Sequence, residues 1–325
     1  MQQFPFRAMN TRMELTLPDR DEKTNELLTF AQNWFRHVEE RFSRFLPDSE
    51  LSHLNRLAGE RCMVSETMLE VVHLAEMYRQ MTHGIFDPLL LNALLHAGYS
   101  ESFEKLKEGN TNSGNEISIS VNPNRSIKID NIMKSIQLPE QIPMDLGGIV
   151  KSWAVHRLVS HFQLKLKVNR GIINAGGDLT VWNDSTTNDL PWIIGIENPW
   201  QENDELGQLV IANGSVATSS KLGRHWETER GDMHHIIDPR TMEPSVSDVV
   251  QCTVTGQNIM DCEIWAKVIC IMGSKDGIQL LHDTTDKYEA LLFTSEQETH
   301  FYGKEASLHT QWLDMKLDHY HFGGV

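Results

Sequence analysis

Three stretches of the sequence place a carboxylate beside backbone that can come close to a ligand. They are MDLGGIVKS (144–152), NAGGDL (174–179) and HHIIDPRT (234–241). Glycine allows such an approach because it has no Cβ, and proline fixes the direction of the chain. Their residue types are typical of a phosphate or metal site. They lie far apart in the sequence, so only folding can bring them together.

The stretch DLGGIVKS has the pattern of a glycine turn that leads into a helix. Gly147 and Gly148 permit close approaches that a Cβ would block, and the free N–H groups of a helix start can bind an anion. Lys151 falls in the first turn, where a cation opposes the helix dipole unless a phosphate lies beside it. Asp145 and Lys151 are therefore candidate phosphate contacts. The alternative is a glycine turn before an ordinary surface helix.

Two further stretches, NAGGDL and VATSS (216–220), have the pattern of strand ends that carry polar groups. In the first, Gly176 and Gly177 precede Asp178. In the second, Thr218 and Ser219 offer hydroxyls for a phosphate or a ribose. The alternatives are a β-bulge with a turn aspartate for the first stretch and a polar strand end for the second.

The stretch HHIIDPRT contains a candidate general base. His235 can accept a proton near neutral pH, and Asp238, two apolar residues further on, can orient the imidazole or face a metal or a ribose. The alternative is a strand that runs into an Asp-Pro turn, with His235 satisfied by hydrogen bonds; His234 is expected on the opposite face of that strand. A second histidine pair, HYH (319–321), resembles a metal-binding pair by composition alone.

The pattern of apolar residues predicts the elements that must position these groups. A strand is expected in FRAMNTRMELTLP, and two short strands, ISISV and SIKI, are expected within 117–140. After the helix opened by DLGGIVKS, most of the chain reads as strands. We predict an α+β fold with a mixed sheet and flanking helices, in one domain over residues 1–325. Helical spacing of apolar residues predicts the other helices, over 21–46, 65–82, 84–100 and 258–273, with Asp87 and Pro88 at the start of the third.

Composition excludes several classes of protein. The chain has 325 residues and a formal net charge of −16, which disfavours binding to nucleic acid because phosphate neutralisation needs clustered Lys and Arg. The four cysteines form no CxxC pair, and we expect core thiols rather than a zinc site or disulfides. No apolar run is long enough for a membrane span. No signal peptide or lipobox is seen at the N-terminus, so a cytoplasmic location is expected.

Taken together, the motifs resemble the ApbE family, the FAD:protein FMN transferases. The resemblance covers nearly the whole chain and includes seven motifs in order. They are AMNT (8–11), ERFSRFLPDSELSHLN (40–55), GIFDP (84–88), DLGGIVKS, NAGGDL, VATSS and HHIIDPRT.

The resemblance implies that the protein binds FAD and uses Mg²⁺ to transfer FMN to a Thr or Ser hydroxyl of an acceptor protein, releasing AMP. His235 would be the base, with Asp238 as its neighbour, and the Val150 carbonyl and Glu263 would face the metal. The remaining implied contacts to FAD are Met9, Thr11, Asp145, Gly147, Gly148, Lys151, Gly176, Gly177, Asp178, Thr218 and Ser219, together with His235.

The sequence departs from the family pattern in its metal motif. The family has Asp-Ala-x-Ala-Thr where this chain has Glu263-Ile-Trp-Ala-Lys267. Glutamate can still donate an oxygen, but a protonated lysine has no acceptor for a metal. The two residues are four apart on a helix and can pair, so we hypothesise that the Lys267 ammonium lies where the ion would. Smaller departures are Asn10 and Met242, where the family has glycine, and Leu89, where it often has threonine.

Two other functions are compatible with these motifs. One is an FAD pyrophosphatase, in which water replaces the acceptor hydroxyl. The other is a catalytically inactive FAD-binding protein, in which Lys267 has replaced the catalytic ion.

Overall fold

The computed structural model describes residues 1–18, 22–107, 125–184, 190–201 and 203–323. Among these residues, none of the helices combines the length and apolar composition needed to span a bilayer. The helices are α1 (Glu22–Phe42), α2 (Glu50–Arg56), α3 (Glu66–Met81), α4 (Leu91–His96), α5 (Phe103–Lys107), α6 (Val150–Leu164), α7 (Ile259–Met272) and α8 (Asp276–Thr284), with a 3₁₀ turn at Glu305–His309.

Strands alternate with these helices and make the structure a mixed α+β fold, as predicted. The early strands are β1 (Gln2–Ala8), β2 (Thr11–Leu17), β3 (Arg61–Met63), β4 (Lys128–Asp130), β5 (Ser135–Gln137), β6 (Gly171–Ala175), β7 (Asp178–Trp182) and β8 (Trp192–Glu197). The later ones are β9 (Glu205–Ile211), β10 (Gly214–Ser220), β11 (His225–Thr228), β12 (Gly231–His234), β13 (Ile237–Asp238), β14 (Glu243–Pro244), β15 (Val249–Gly256), β16 (Glu289–Thr294), β17 (Thr299–Gly303), β18 (Trp312–Leu313) and β19 (His319–Phe322).

The chain divides into two compact units, of which the first comprises residues 1–34, 152–223 and 247–325. Its main sheet has nine strands in the order β1-β2-β6-β7-β10-β15-β16-β17-β19, and a smaller sheet has the order β18-β9-β8. Neighbours in the main sheet pair antiparallel except β17 and β19, which are parallel. Inward-facing side chains of the two sheets form one apolar cluster, which includes Leu179, Val181, Leu209, Leu291 and Phe293.

Helix α7 covers strands β10 and β15 of the main sheet. Asn258 caps it by accepting a hydrogen bond from the N–H of Met260, as expected for an asparagine at this position. Most of its residues are buried, because apolar side chains occupy more than one face of the helix. This burial brings its few polar side chains against the sheet rather than into solvent.

The second unit comprises residues 35–151 and 224–246. It contains the sheet β3-β5-β4 and the strand pairs β11-β12 and β13-β14. Ser65 caps α3 by accepting a hydrogen bond from the N–H of Met68, which confirms the predicted start of that helix. The indole N–H of Trp226 donates to the carbonyl of Ala97 within an apolar cluster that also holds Leu94 and Met242.

Several element predictions need correction. The helix expected to begin at Asp87 and Pro88 begins only at Leu91; the Asp87 carboxylate accepts from the N–H of Leu89 and pairs with Arg125, so it stabilises the turn before the helix. Helices α2 and α5 lie in stretches for which no helix is predicted above. The predicted strand 117–121 lies outside the described residues, and the extent of the single domain stays a prediction.

Candidate functional site

Two β-hairpin turns meet at one end of the nine-stranded sheet. Met9 and Asn10 join β1 to β2 with φ of +51° and +54°, and Gly176 and Gly177 join β6 to β7 with φ of +74° and +100°. Two-residue turns with positive φ at both positions match the right-handed twist of the strands. NAGGDL is therefore a tight hairpin turn, and the β-bulge alternative is excluded.

The two turns touch because β2 and β6 are paired, with Met13 opposite Ala175. A Cβ added to Gly176 would lie 2.3 Å from Oγ1 of Thr11, a distance that real Cβ atoms do not reach. The glycine is thus needed here for close contact as well as for its positive φ. Predicted FAD contacts from distant parts of the sequence, Met9, Thr11, Gly176 and Gly177, lie together at this end of the sheet.

Asp178 and Thr218 extend this group along the sheet. Asp178 is buried, and its Oδ1 accepts a hydrogen bond of 3.3 Å from the N–H of Thr218. The Thr218 hydroxyl lies 2.9 Å from that of Thr253 on β15. Successive side chains of a strand point to opposite faces, so the hydroxyls of Thr218 and its neighbour Ser219 do not converge. Thr218 therefore contacts Asp178 through its backbone N–H, while its hydroxyl lies against Thr253.

Glu263 and Lys267 form the predicted pair on α7. Lys267 Nζ lies 3.9 Å from Glu263 Oε1, and only 18% and 6% of the two side chains are exposed, respectively. Helix α7 brings this pair close to β10, since the thiol of Cys262 donates to the carbonyl of Ser215 and that of Cys270 to the carbonyl of Ser219. Burial raises the pKa of the Cys262 thiol most, followed by the charges of Asp261 and then Asp178, so Asp178 lies near this helix.

The Glu263–Lys267 pair does not fit a magnesium ion. Mg²⁺ prefers six oxygen ligands, including one or two carboxylates, in nearly ideal octahedral geometry. Here an ammonium, which offers no acceptor, lies within ion-pair distance of the carboxylate. The positive charge beside Glu263 is therefore supplied by a side chain.

The second unit holds Asp145 in a fixed orientation. Arg44 Nε lies 2.7 Å from Asp145 Oδ2, and the N–H of Gly147 donates to Oδ1 at 2.8 Å. The Arg44 guanidinium stacks on the rings of Phe45 and Tyr99 and donates to the Tyr99 carbonyl. Arg44 is a site residue that the sequence reasoning missed, although it stands in the SRF of one family motif.

Beyond Asp145 the chain enters α6 as predicted. Residues 147–149 form a turn, and the helix begins at Val150, so Lys151 lies in its first turn. Gly147 does not have a φ in the left-handed region, so the turn does not require a glycine there for its backbone conformation. A Cβ at Gly147 would lie 3.0 Å from Asp145 Oδ1, a tight contact that would require the carboxylate to shift. The Val150 carbonyl belongs to the first helical turn, and its metal contact stays a prediction.

His235 lies between β12 and β13, where its ring is partly buried. Its Nδ1 is 3.4 Å from the carbonyl oxygen of Arg224. Because a carbonyl only accepts, a neutral ring that makes this hydrogen bond carries its hydrogen on Nδ1 and its lone pair on Nε2. His234 has different partners, the carbonyl of Ser245 and the N–H of Ile236, as expected for the opposite face.

Asp238 is buried, and the Arg240 guanidinium donates to both of its carboxylate oxygens, Nε to Oδ1 and an Nη to Oδ2. The N–H of Arg240 also donates to Oδ1, so the carboxylate stabilises the Asp-Pro turn itself. A role for Asp238 in orienting His235 stays a prediction.

The nine-stranded sheet and the ordered motifs around it define a protein of the ApbE type. The family model described as ApbE family matches residues 9–292. The chain therefore belongs to the ApbE family.

Relatives with the name FAD:protein FMN transferase share part or most of the chain. One from Klebsiella pneumoniae is 28% identical over 156 residues, which are 48% of this chain and 46% of the relative, so the match spans about half of that protein. One from Vibrio cholerae is 25% identical over 268 residues, or 79% of this chain and 76% of the relative.

Solved structures show the same fold. The ApbE protein of Thermotoga maritima has a TM-score of 0.75 at 20% identity, over 92% of this chain and 96% of its own. The flavin transferase ApbE of Vibrio cholerae has a TM-score of 0.72 at 21% identity, over 94% and 97% of the two chains.

Proposed function

We propose that this protein transfers FMN from FAD to a Thr or Ser hydroxyl of an acceptor protein and releases AMP. Membership of the ApbE family and the activity named for its relatives support this reaction. The observation that carries the proposal is the cluster of Thr11, Gly176, Asp178 and Thr218, which comes from separate strands and matches the implied contacts to FAD.

In the proposed reaction the acceptor hydroxyl oxygen attacks the phosphorus on the FMN side of the pyrophosphate. A new P–O bond forms to the acceptor, the bond from that phosphorus to the bridging oxygen breaks, and AMP leaves with the bridging oxygen. Nε2 of His235 takes the hydroxyl proton, because Nδ1 of the neutral ring already carries a hydrogen toward the Arg224 carbonyl.

Negative charge on the pyrophosphate must be balanced for this step to proceed. We assign part of that role to Lys267, whose ammonium is held beside Glu263 and is largely shielded from water. A cation in such surroundings interacts more strongly with an anion than one in bulk solvent. We therefore expect the activity of this protein to depend less on added Mg²⁺ than the activity of a protein that has two oxygen donors in this motif.

The first test is to incubate purified protein with FAD and a protein that presents an accessible threonine, with and without Mg²⁺. We expect AMP release and FMN attached to the acceptor, detected by mass spectrometry. His235→Gln should lower the rate by about 10²–10⁴-fold, the usual effect of losing a general base. His234→Gln is the matched control and should retain activity. Equal rates for both variants would contradict the role of His235.

The charge assignment is tested with Lys267→Thr, which restores the residue type of the family pattern. We expect Mg²⁺ to bind more tightly to this variant than to the wild type in calorimetric titration. Transfer by the variant should also become strictly dependent on Mg²⁺. Equally tight binding to both proteins would show that Lys267 does not replace the ion.

The Glu263–Lys267 pair also favours one alternative, an FAD-binding protein without turnover. The same assay separates the possibilities. Bound FAD with no product under any condition supports binding alone, whereas AMP and free FMN without an acceptor support a pyrophosphatase.

A further inference from the structure

Four side chains capable of binding a metal lie on one face of the strand pair β17-β19. Parallel pairing sets His300 opposite His319 and Tyr302 opposite His321. Alternate residues of a strand share a face, so His321 lies on the same face as His319. Glu298 immediately precedes β17, and its carboxylate reaches His300. The imidazoles of His300 and His319 are 4.4 Å apart, measured between ring centroids.

The ligand atoms of this group converge on a small volume. Glu298 Oε2 lies 3.4 Å from His300 Nε2 and 3.4 Å from His319 Nε2. One ligand atom from each of the three residues lies within 4.8 Å of the others. In a tetrahedral zinc site with bonds of about 2.0–2.1 Å, neighbouring ligand atoms are separated by about 3.4 Å. The two measured distances equal that separation.

We propose that Glu298, His300 and His319 bind a divalent transition-metal ion of the zinc class, with a water molecule in the remaining position. Two imidazoles and a carboxylate form a ligand set that zinc accepts, and imidazole is a poor ligand for Mg²⁺ and Ca²⁺, which prefer oxygen. Glu298 and His319 are 43% and 48% exposed, so an ion can reach the site from solvent.

His321 supports the site from the outer shell. Its Nε2 lies 3.4 Å from Nδ1 of His300, the nitrogen that faces away from Glu298. A histidine that binds metal through one nitrogen usually hydrogen-bonds through the other, which fixes the orientation of the ring. His300 itself is only 12% exposed, so its ring has little freedom to turn away.

The bound ion would link β19 to β17 at the edge of the nine-stranded sheet. A ligand that binds only the folded state raises its stability by mass action. The site thus stabilises the C-terminal strand and acts independently of FMN transfer, since none of its residues belongs to the proposed flavin site.

The test is titration of the metal-stripped full chain with Co²⁺, followed by visible absorption, and with Zn²⁺, followed by calorimetry. We expect one equivalent to bind, with the intense absorption of low-coordinate cobalt, and Zn²⁺ to raise the melting temperature. His321→Gln should weaken binding by about 10–100-fold, as outer-shell changes do. Glu298→Gln and His319→Gln should weaken it further.

His309→Gln, which removes an exposed histidine of the same unit, is the matched control and should bind like the wild type. The absence of stoichiometric binding to the wild type overturns the proposal. Binding that survives unchanged in both Glu298→Gln and His319→Gln overturns it as well. Circular dichroism of each variant establishes that it is folded, and the two ligand variants provide independent tests.

Discussion

Replacing Gly176 with alanine tests whether the contact between the two hairpin turns determines the shape of the flavin site. Gly177 provides a matched control, because both glycines have positive φ, +74° and +100°, but only the Cβ at 176 meets another group. That Cβ would lie 2.3 Å from Oγ1 of Thr11, whereas the Cβ at 177 meets no atom within 4 Å. The difference between the two variants isolates the collision from the backbone strain.

The magnitudes follow from these distances. A left-handed alanine costs about 1–2 kcal/mol at either position. The collision adds about 1–3 kcal/mol at 176, typical of overpacking. We therefore expect losses in the free energy of unfolding of about 1–2 kcal/mol for Gly177→Ala and about 2–5 kcal/mol for Gly176→Ala.

The assay is urea unfolding of the two variants, with the midpoint shifting and the m-value unchanged. Adding Thr11→Ala to Gly176→Ala removes Oγ1 and Cγ2 of Thr11 and should recover most of the extra loss. In the proposed function, Gly176→Ala should also weaken FAD binding more than Gly177→Ala. Equal losses for the two single variants would refute the contact.

Two other predictions follow from buried ionisable groups. Arg125→Met leaves the Asp87 carboxylate buried without its cation at 2.9 Å and should cost about 3–5 kcal/mol in unfolding free energy at pH 7. Burial already raises the pKa of Asp87 above its ordinary value although Arg125 lowers it, so removing the cation raises this pKa further. The loss relative to the wild type should therefore shrink as the pH falls from the folded-state pKa of the variant to that of the wild type, because protonation neutralises the buried carboxylate; a loss independent of pH would contradict this assignment. Burial also raises the pKa of the four cysteine thiols, to about 12 for Cys270; these are Cys62, Cys252, Cys262 and Cys270. Alkylation of these thiols at pH 8 should therefore be slow in the native protein and complete in guanidinium. Fast labelling of the native protein would contradict their burial.

The sequence predicted elements best where a local pattern is sufficient. The helices α1, α3 and α7 follow from apolar spacing, and a cap at Ser65 marks the start of α3. The start of α4 was mispredicted because Asp87 accepts a cap-like hydrogen bond from the N–H of Leu89, yet the helix begins only at Leu91; the other oxygen of Asp87 binds Arg125. That partner lies 38 residues later, and no local pattern identifies it.

The site was predictable as a set of motifs but not as an arrangement. The contact of Thr11 with Gly176 depends on the register between β2 and β6, which no motif specifies. Arg44 was missed because its role requires Asp145, a hundred residues away. In the same way, HYH carried too little information alone, since Glu298 and His300 come from another strand in parallel pairing.

The departures from the family pattern differ in what they preserve. Asn10 and Met242 replace glycines, yet both keep a positive φ, +54° and +62°. Asparagine tolerates this conformation, whereas methionine does so at a cost offset by burial in an apolar cluster. These two substitutions keep the backbone shape while changing the side chain. Lys267 instead places a positive charge beside Glu263 where the family has a neutral threonine, and it removes a hydroxyl oxygen that could bind a metal. A chemical difference between this protein and relatives that fit the family motif should therefore arise at Lys267, and Lys267→Thr is the substitution that can reverse it.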